Sequence, residues 1–242
     1  MTIRIAMWSG PRNISTAMMR SFGARTDCAV SDEPYYGAFL KASGKPDPMA
    51  AEIIADMDTD WVSVTRTLNG PAPGGAPIWY QKHMPSEMAG PVSISDLPSH
   101  RHAFLIRDPK RMIASYAKKM QTVTFDEMGL ERLHLYFLME ADRLGTPPPV
   151  VEGRDILADP GGMLAKLCTA LGIDWDPAML SWEPGQHDSD GVWAPHWYGR
   201  VMASTGFEGR DDSPVELSDE NQALYERCRP HFEALQAHKL TP

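Results

Sequence analysis

The chain has 242 residues, of which 43% are hydrophobic, and a formal net charge of −9 at pH 7. That length and hydrophobic content suffice for one sizeable α/β domain or two small ones. The acidic balance argues against nucleic-acid binding, although a local basic pocket is compatible with it. The three cysteines lie far apart and form no CxxC pair, so neither a disulfide framework nor a structural zinc site is expected.

The sequence also indicates where the protein works. Its first residues, Thr2-Ile3-Arg4-Ile5, are typical of a strand rather than of a secretory leader. No apolar run approaches the length that spans a bilayer. Because widely spaced cysteines fit a reducing compartment, we expect a cytoplasmic protein without membrane insertion.

Short apolar runs alternate with helical patterns along the chain. In chain order, the patterns predict a strand at 3–8, a helix at 16–25, a strand at 28–34, helices at 35–44 and 48–57, a loop at 67–77, strands at 77–84 and 102–109, helices at 109–120 and 127–144, a strand at 149–157, a helix at 159–173, an irregular segment at 181–210 and a helix at 216–235. Such alternation predicts a mostly parallel sheet covered on both faces. Without an internal repeat or a long linker, we expect residues 1–242 to form a single domain.

The stretch "SGPRNIST", residues 9–16, connects the first strand to the first helix. The free N–H groups and the dipole at a helix start favour an anion, and Arg12, Ser15 and Thr16 add a cation and two hydroxyl donors. An ATP-binding loop of the form G-x-x-x-x-G-K-S/T needs a lysine that neither register supplies here. The loop is therefore either an anion site of another kind or an ordinary capped helix start, for which Ser-Thr is a sufficient explanation.

Two further stretches place polar side chains at strand ends. In "RDPKRMIASY", Arg107 ends a strand and Ser115 follows within a helix. Arg107 and Ser115 together suit a phosphate. The alternative is that Arg107 pairs with Asp108 at the strand end and that Ser115 is a helical serine without a function. In "YQKHMP", His83 ends a strand, where ligand sites of α/β proteins gather, and a neutral imidazole suits proton abstraction. Any one of eight histidines is more often a surface or core residue.

In this order, and together with "VVEGRDILADPGGMLAKLCTALGI" further along, the motifs resemble the sulfotransferases that use 3′-phosphoadenosine 5′-phosphosulfate (PAPS). The resemblance implies a three-layer, P-loop NTPase-like α/β fold with a central, mostly parallel sheet flanked by helices. It also implies PAPS as donor, PAP as product and no metal. Residues 12–16, Arg12-Asn13-Ile14-Ser15-Thr16, stand in the frame of the family's 5′-phosphosulfate loop, with Asn13 and Ile14 in place of a serine and a glycine.

The same resemblance implies roles for other residues. Arg12 would contact the leaving phosphate, Arg107 and Ser115 would bind the 3′-phosphate, His83 would be the general base, and Lys82 would steady charge on the transferring group. The family's late Arg-Lys-Gly loop is missing. At its place in chain order, "YGRVMASTGFEGR" offers an anion-binding nest or an ordinary surface turn. The nest would comprise Arg200, Ser204, Thr205, Gly206 and Arg210.

An acceptor would lie beside the predicted base. The residues expected there are Glu33, Tyr35, Trp193 and Trp197, whose aromatic members form either an apolar lid over a ligand or a small satellite core. The acceptor is expected to be a small molecule with a hydroxyl or amine, and a homodimer is compatible with the sequence.

Two other functions stay open at this level. A P-loop kinase-like phosphotransferase using ATP and Mg²⁺ could employ Asp108 of "LIRDP" as a metal ligand, although its loop lysine is missing. A non-catalytic protein could keep the fold and bind a nucleotide. Binding of PAP without transfer to any acceptor distinguishes the last case from a sulfotransferase.

Overall fold

The computed structural model describes residues 2–120, 122–209 and 213–242. In this part of the chain, five strands form one sheet in the order β2-β3-β1-β4-β5, and every neighbouring pair is parallel. The strands are β1 (Ile3–Ser9), β2 (Cys28–Asp32), β3 (Ile78–His83), β4 (His100–Ile106) and β5 (Val150–Glu152). The carboxyl ends of β1, β3 and β4 therefore lie side by side, which is where parallel sheets bind ligands.

Helices cover both faces of this sheet, so the predicted three-layer α/β fold is confirmed. They are α1 (Ser15–Gly23), α2 (Tyr36–Ser43), α3 (Ala50–Asp56), α4 (Trp61–Asn69), α5 (Pro109–Tyr116), α6 (Phe125–Met128), α7 (Leu130–Leu144), α8 (Gly153–Ala158), α9 (Pro160–Ala170), α10 (Ala194–Trp197), α11 (Gly199–Met202) and α12 (Asp219–Gln236). Alternate side chains of β1 enter opposite cores: Ile5 and Met7 pack with α1 and α9, whereas Ala6 and Trp8 pack with α5, α7 and α12. Among the described helices, none is long and apolar enough to cross a membrane.

Several element boundaries differ from the sequence expectation, and three of the differences have a clear local cause. The first residues of the predicted loop 67–77 belong to α4, a helix that the sequence analysis does not predict. The start of α4 is capped by the Asp60 side chain, which accepts a hydrogen bond from Ser63 N at 2.7 Å. The helix predicted at 127–144 is interrupted at Gly129, whose φ of 65° a helix does not contain. The strand predicted at 149–157 ends at Glu152 because the chain turns into α8.

Candidate active site

Arg12, Arg107 and Ser115 come together at the carboxyl end of the sheet. Arg12 lies between β1 and α1 with a φ of 55°, a backbone conformation that is unfavourable for a residue with a Cβ. Its carbonyl oxygen accepts a hydrogen bond from the Arg107 guanidinium, and its own Nε donates to Ser115 Oγ at 3.2 Å. These two bonds hold the loop in its strained conformation and bring three residues from separate motifs into one group.

Asn13 and Ile14 are accommodated by a glycine elsewhere in the chain. Asn13 Nδ2 donates to Leu105 O at 2.9 Å, and Asn13 Oδ1 accepts from Ile14 N at 3.0 Å. The Ile14 side chain packs against the core beneath α1 with an ordinary φ of −75°. A Cβ on Gly153 would lie 3.0 Å from Asn13 Oδ1 and 3.3 Å from Ile14 Cγ1. The loop therefore fits without a glycine at position 14 because position 153 has no side chain.

A cavity of about 850 Å³ opens on one side of this loop, and we call it the basic cavity. Among the described residues, seven arginines and lysines and five acidic residues line it. The basic residues are Arg12, Arg107, Arg111, Lys118, Arg154, Arg200 and Arg229. Ser115 and Thr16 add hydroxyl groups to the same wall. An arginine-rich wall at a helix start has the chemistry of a phosphate site.

The late segment (residues 181–209) contributes to the basic cavity less fully than the sequence predicts. Arg200, Ser204 and Gly206 line the wall, whereas Thr205 does not, because Trp182 N binds the Thr205 carbonyl and fixes this turn elsewhere. The Ser204 hydroxyl already donates to Val201 O at 2.8 Å, and Arg200 Nε lies 2.8 Å from Glu208 Oε2. Arg210 lies outside the described residues.

A second cavity, also of about 850 Å³, opens on the other side of the loop, and we call it the aromatic cavity. Its aromatic wall is formed by Tyr36, Phe39, Tyr116, Phe125, Trp193, Trp197 and Tyr198, and Ser15 and Glu33 also line it. The two cavities share Arg12, Asn13, Thr16, Trp197 and Tyr198. A molecule in one cavity can therefore meet a molecule in the other beside Arg12.

His83 lies outside both cavity walls, so the structure does not favour the role of general base expected for it, and that role stays a prediction. Its side chain is 1% exposed, its ring stacks on Trp8 at 4.6 Å between centroids, and its Nε2 lies 3.3 Å from Gln81 Oε1. Burial lowers the pKa of His83 well below its ordinary value. Tyr35 is likewise a core residue at 1% exposure, with its hydroxyl 2.8 Å from Thr65 Oγ1, and does not line the aromatic cavity.

Lys82, adjacent to His83 on β3, reaches the wall of the aromatic cavity instead. Its Nζ lies 2.7 Å from Asp32 Oδ1 and 2.6 Å from Glu33 Oε1, and it donates to the Tyr198 hydroxyl at 2.7 Å. Burial opposes the lysine charge, but the two carboxylates outweigh it and raise the pKa of Lys82 well above its ordinary value. Lys82 is therefore a charged residue that fixes Glu33.

Glu87 completes a carboxyl pair that the sequence analysis missed. Its carboxyl group is close enough to that of Glu33 for each to shift the pKa of the other, both line the aromatic cavity, and Glu87 is only 5% exposed. Burial raises the pKa of both groups, and the Glu33 charge adds to this at Glu87, whose pKa is raised well above the ordinary value. Burial and the neighbouring Glu33 charge therefore favour the protonated form of Glu87 over its carboxylate. In the sequence, Glu87 follows β3 after the short turn "HMPSE", which carries no pattern that marks a functional carboxyl group.

The Tyr198 hydroxyl ties the late segment to the sheet. It donates to Asp32 Oδ2 at 2.6 Å and accepts from Trp193 Nε1 at 3.0 Å as well as from Lys82. We expect Tyr198→Phe to lower the free energy of unfolding by about 1–3 kcal/mol, because it leaves buried partners unpaired. Urea denaturation measures this change. A loss no larger than that of Tyr225→Phe, on α12, would contradict the role given to the hydroxyl.

Comparisons with known proteins agree with this architecture. A family model described as "Sulfotransferase domain" matches residues 3–239. Two curated relatives from Arabidopsis thaliana, Branched-chain-amino-acid aminotransferase-like proteins 2 and 1, are each 33% identical over 234 residues. The alignments cover 97% of this chain and 41% and 42% of the relatives, so the chain spans about two fifths of their length.

Solved structures show the same fold at low sequence identity. The sulfotransferase domain from the curacin biosynthetic pathway is 12% identical and superposes with a TM-score of 0.53. The alignment covers 95% of this chain and 98% of that domain. A sulfotransferase from Alicyclobacillus acidocaldarius is also 12% identical, with a TM-score of 0.52 covering 100% of this chain and 98% of that one. On the match over residues 3–239, this chain belongs to the sulfotransferase domain family.

Proposed function

We propose that the protein transfers a sulfuryl group from PAPS to a hydroxyl or amine of a small-molecule acceptor. The observation that carries this proposal is the meeting of two cavities of similar size beside Arg12. The basic cavity suits a donor with several phosphate charges, and the aromatic cavity suits an organic acceptor. Arg12 lies at the junction, where charge on a leaving phosphate would develop.

The residues of the basic cavity fit PAPS. Thr16 and the N–H groups in the first turn of α1 would hold the 5′-phosphosulfate together with Arg12. Arg107 and Ser115 would hold the 3′-phosphate, since an arginine fork and a hydroxyl match a phosphate dianion. When bound, PAPS supplies the sulfuryl group, whose bond to the 5′-phosphate oxygen breaks with its electron pair remaining on PAP.

Glu33 replaces His83 in this proposal as the base. A hydroxyl in the aromatic cavity would give its proton to the Glu33 carboxylate as its oxygen attacks sulfur. The raised pKa of Glu33 increases its basicity, while Lys82 holds its carboxylate in place. Arg12 would stabilise the charge on the departing phosphate, an effect that is usually large in group transfer.

Membership of the family favours sulfuryl transfer over the kinase-like alternative, and the loop without a lysine is consistent with this. A protein that binds nucleotide without catalysis would bind PAP but transfer nothing to any acceptor. A cytoplasmic location and a homodimer stay predictions.

Calorimetric titration with PAP, ADP plus Mg²⁺, and adenosine 5′-phosphate tests the donor site. We expect PAP to bind most tightly, because only PAP has the 3′-phosphate that Arg107 would hold. Arg107→Ala should weaken PAP roughly 10- to 100-fold, the cost of losing a charged hydrogen bond, and weaken adenosine 5′-phosphate much less. Arg66→Ala on α4, outside both cavity walls, is the matched control.

The outcomes separate three cases. Equal losses for PAP and adenosine 5′-phosphate would mean that Arg107 acts by holding the Arg12 loop rather than the 3′-phosphate. Tighter binding of ADP with Mg²⁺ would favour the kinase-like alternative. Binding of none of the three would refute the proposed function.

A further inference from the structure

The charges of the aromatic cavity indicate what kind of acceptor it takes. We propose that the acceptor is an organic cation, with a protonated amine on an apolar body, whose charged group binds at the outer part of the aromatic cavity. This inference rests on the proposed function, because it assigns the aromatic cavity to the acceptor. The outer part is the acidic rim, formed by the exposed Asp126 and Glu131 together with the more buried Asp47 and Glu127.

Acidic side chains outnumber basic ones on this wall. Among the described residues, six aspartates and glutamates and four arginines and lysines line the cavity, and the acidic side chains stay in excess, five to four, with Glu87 counted as neutral. One of the four is Arg12, which also lines the basic cavity and is assigned to the donor. The remaining basic residues are Lys45, Lys82 and Arg132, so a ligand in this cavity meets a negative wall.

Both lysines are already held by carboxylates. Lys45 Nζ lies 3.0 Å from Asp47 Oδ1 and 2.8 Å from Glu127 Oε1, at the rim. Lys82 is held in the same way at the inner end by Asp32 and Glu33. Each lysine therefore sits between two carboxylates, and each group keeps a surplus of negative charge. Neither lysine is placed to attract an anionic acceptor.

The two cavities differ in the sign of their charge. Basic residues outnumber acidic ones in the wall of the basic cavity, and the reverse holds for the aromatic cavity. A wall of one sign raises the local concentration of ligands of the opposite sign and disfavours ligands of the same sign. A second anion would therefore be repelled by the aromatic cavity, and the anionic donor is directed to the basic one.

The aromatic side chains supply a second, independent reason. Phe39 and Phe125 are partly exposed, Trp193 is buried edge-on against Tyr36 at 5.2 Å, and Tyr116 stacks on Trp197 with an interplanar angle of 10°. Aromatic faces bind apolar groups and also attract organic ammonium ions. A cavity that combines such faces with surplus carboxylates suits a molecule that is apolar and cationic at once.

The depth of the carboxylates orients this molecule. Glu87, at the inner end, is only 5% exposed, whereas Asp126 and Glu131 are exposed at the rim. Among the described residues, no arginine or lysine donates a hydrogen bond to Glu87. The inner pair would receive the proton of the nucleophile, and the rim would face the separate ammonium group.

A set of three phenols tests the proposal. Tyramine, tyrosol and 4-hydroxyphenylacetate share the 4-hydroxyphenyl group and differ in bearing an ammonium, a hydroxyl or a carboxylate. We titrate each into the protein, with and without saturating PAP, and measure transfer from PAPS to each. We expect tyramine to bind at least about tenfold more tightly than tyrosol, and 4-hydroxyphenylacetate to bind most weakly.

The rim is tested with the double variant Asp126→Asn, Glu131→Gln. Both side chains are exposed, so the fold should tolerate the change. We expect the advantage of tyramine over tyrosol to shrink about two- to fivefold, with the affinity for tyrosol unchanged, since exposed charges contribute modestly. Asp142→Asn, an exposed residue of α7 outside both cavity walls, should leave the order and the ratio unchanged.

Equal affinities for tyramine and tyrosol, preferred binding of 4-hydroxyphenylacetate, or no binding of tyramine at millimolar concentration would each overturn the inference. The titrations with and without PAP separate it from the proposed function. If PAP binds and tyramine is not preferred, the acceptor inference alone fails. If tyramine is preferred and PAP does not bind, the proposed function fails while the cavity keeps its preference for cations.

Discussion

Replacing Glu33 by glutamine is expected to lower kcat for sulfuryl transfer by about 10²–10⁴-fold, the usual contribution of a general base. The amide keeps the size of the side chain but cannot take a proton. Affinity for PAP should stay within about twofold, because Glu33 does not line the basic cavity. Stopped assays with labelled PAPS, alongside calorimetry with PAP, measure the two effects separately.

The pH dependence of kcat gives a second measure of the same residue. The base works only when it is ionised, so kcat should fall as the pH drops through the pKa of Glu33. Burial, the largest influence, raises that pKa. The acid limb should therefore lie above the pH expected of an exposed glutamate, and should disappear in Glu33→Gln.

His83→Gln is the informative control for the Glu33 prediction. His83 is buried between Trp8 and Tyr35, and glutamine preserves a hydrogen bond towards Gln81. We expect this variant to lose stability but, once folded, to keep kcat within a few fold. The opposite result would identify His83 as the base. In that case the His83→Gln protein would fold and bind PAP normally but show no turnover, while Glu33→Gln stayed active.

The sequence predicted well that Arg12, Arg107 and Ser115 lie together, while their roles towards a donor stay predictions. Strand, polar turn and helix are local patterns, and parallel strands bring their carboxyl ends to one edge. Arg12 follows β1 and Arg107 follows β4. Because β1 and β4 are neighbouring parallel strands in the strand order expected for the family, the two residues lie near each other. The structure adds that the Arg107 guanidinium binds the Arg12 carbonyl and that Gly153 makes room for Ile14.

The acceptor side was harder to predict because β3 is buried along its whole length. Without alternation of polar and apolar residues, the sequence does not tell which face Lys82 and His83 occupy. Here Lys82 reaches the cavity, and His83 joins a core network in which Gln81 Oε1 lies 3.3 Å from His83 Nε2 and 2.9 Å from His100 Nε2. Three buried histidines, His83, His100 and His102, fill this space, and burial lowers the pKa of each.

Long-range packing decided the remaining features. Glu87 follows a short turn with no recognisable pattern, and its pairing with Glu33 depends on how β2 and β3 lie beside each other. Tyr198 reaches Asp32 across 166 positions of the chain. Neither spacing nor propensity predicts such long-range contacts, so the proximity of Glu87 to Glu33 and the Tyr198–Asp32 hydrogen bond emerge only from the structure.

The late segment that walls both cavities depends on a buried ion pair, which leads to the last prediction. Arg20 of α1 and Asp190 lie 2.6 Å apart, and their side chains are 1% and 0% exposed. Arg20 Nη2 also donates to Gly185 O at 3.1 Å, and Asp190 Oδ2 accepts from His187 N at 3.0 Å. The pair thus ties the start of this segment to the helix that follows the donor loop.

Asp190→Ala is expected to lower the free energy of unfolding by about 3–5 kcal/mol, because it leaves the Arg20 charge buried without its partner. Urea denaturation gives the stability, and PAP titration should show weaker binding, since Trp197 and Arg200 of the same segment line the basic cavity. Glu208→Ala is the matched control: its partner Arg200 is 78% exposed, so the change should stay below about 1 kcal/mol.

The double variant Arg20→Met, Asp190→Leu distinguishes an unpaired charge from a lost contact. If the cost in Asp190→Ala comes from the isolated arginine, removing both charges should recover much of the stability, because apolar side chains of similar size need no partner. If the double variant is as unstable as Asp190→Ala, the hydrogen bonds to Gly185 and His187 hold the segment rather than the charge. If the double variant recovers stability, we expect its affinity for PAP to recover as well. The late segment would then again be held against α1, with its residues in the wall of the basic cavity.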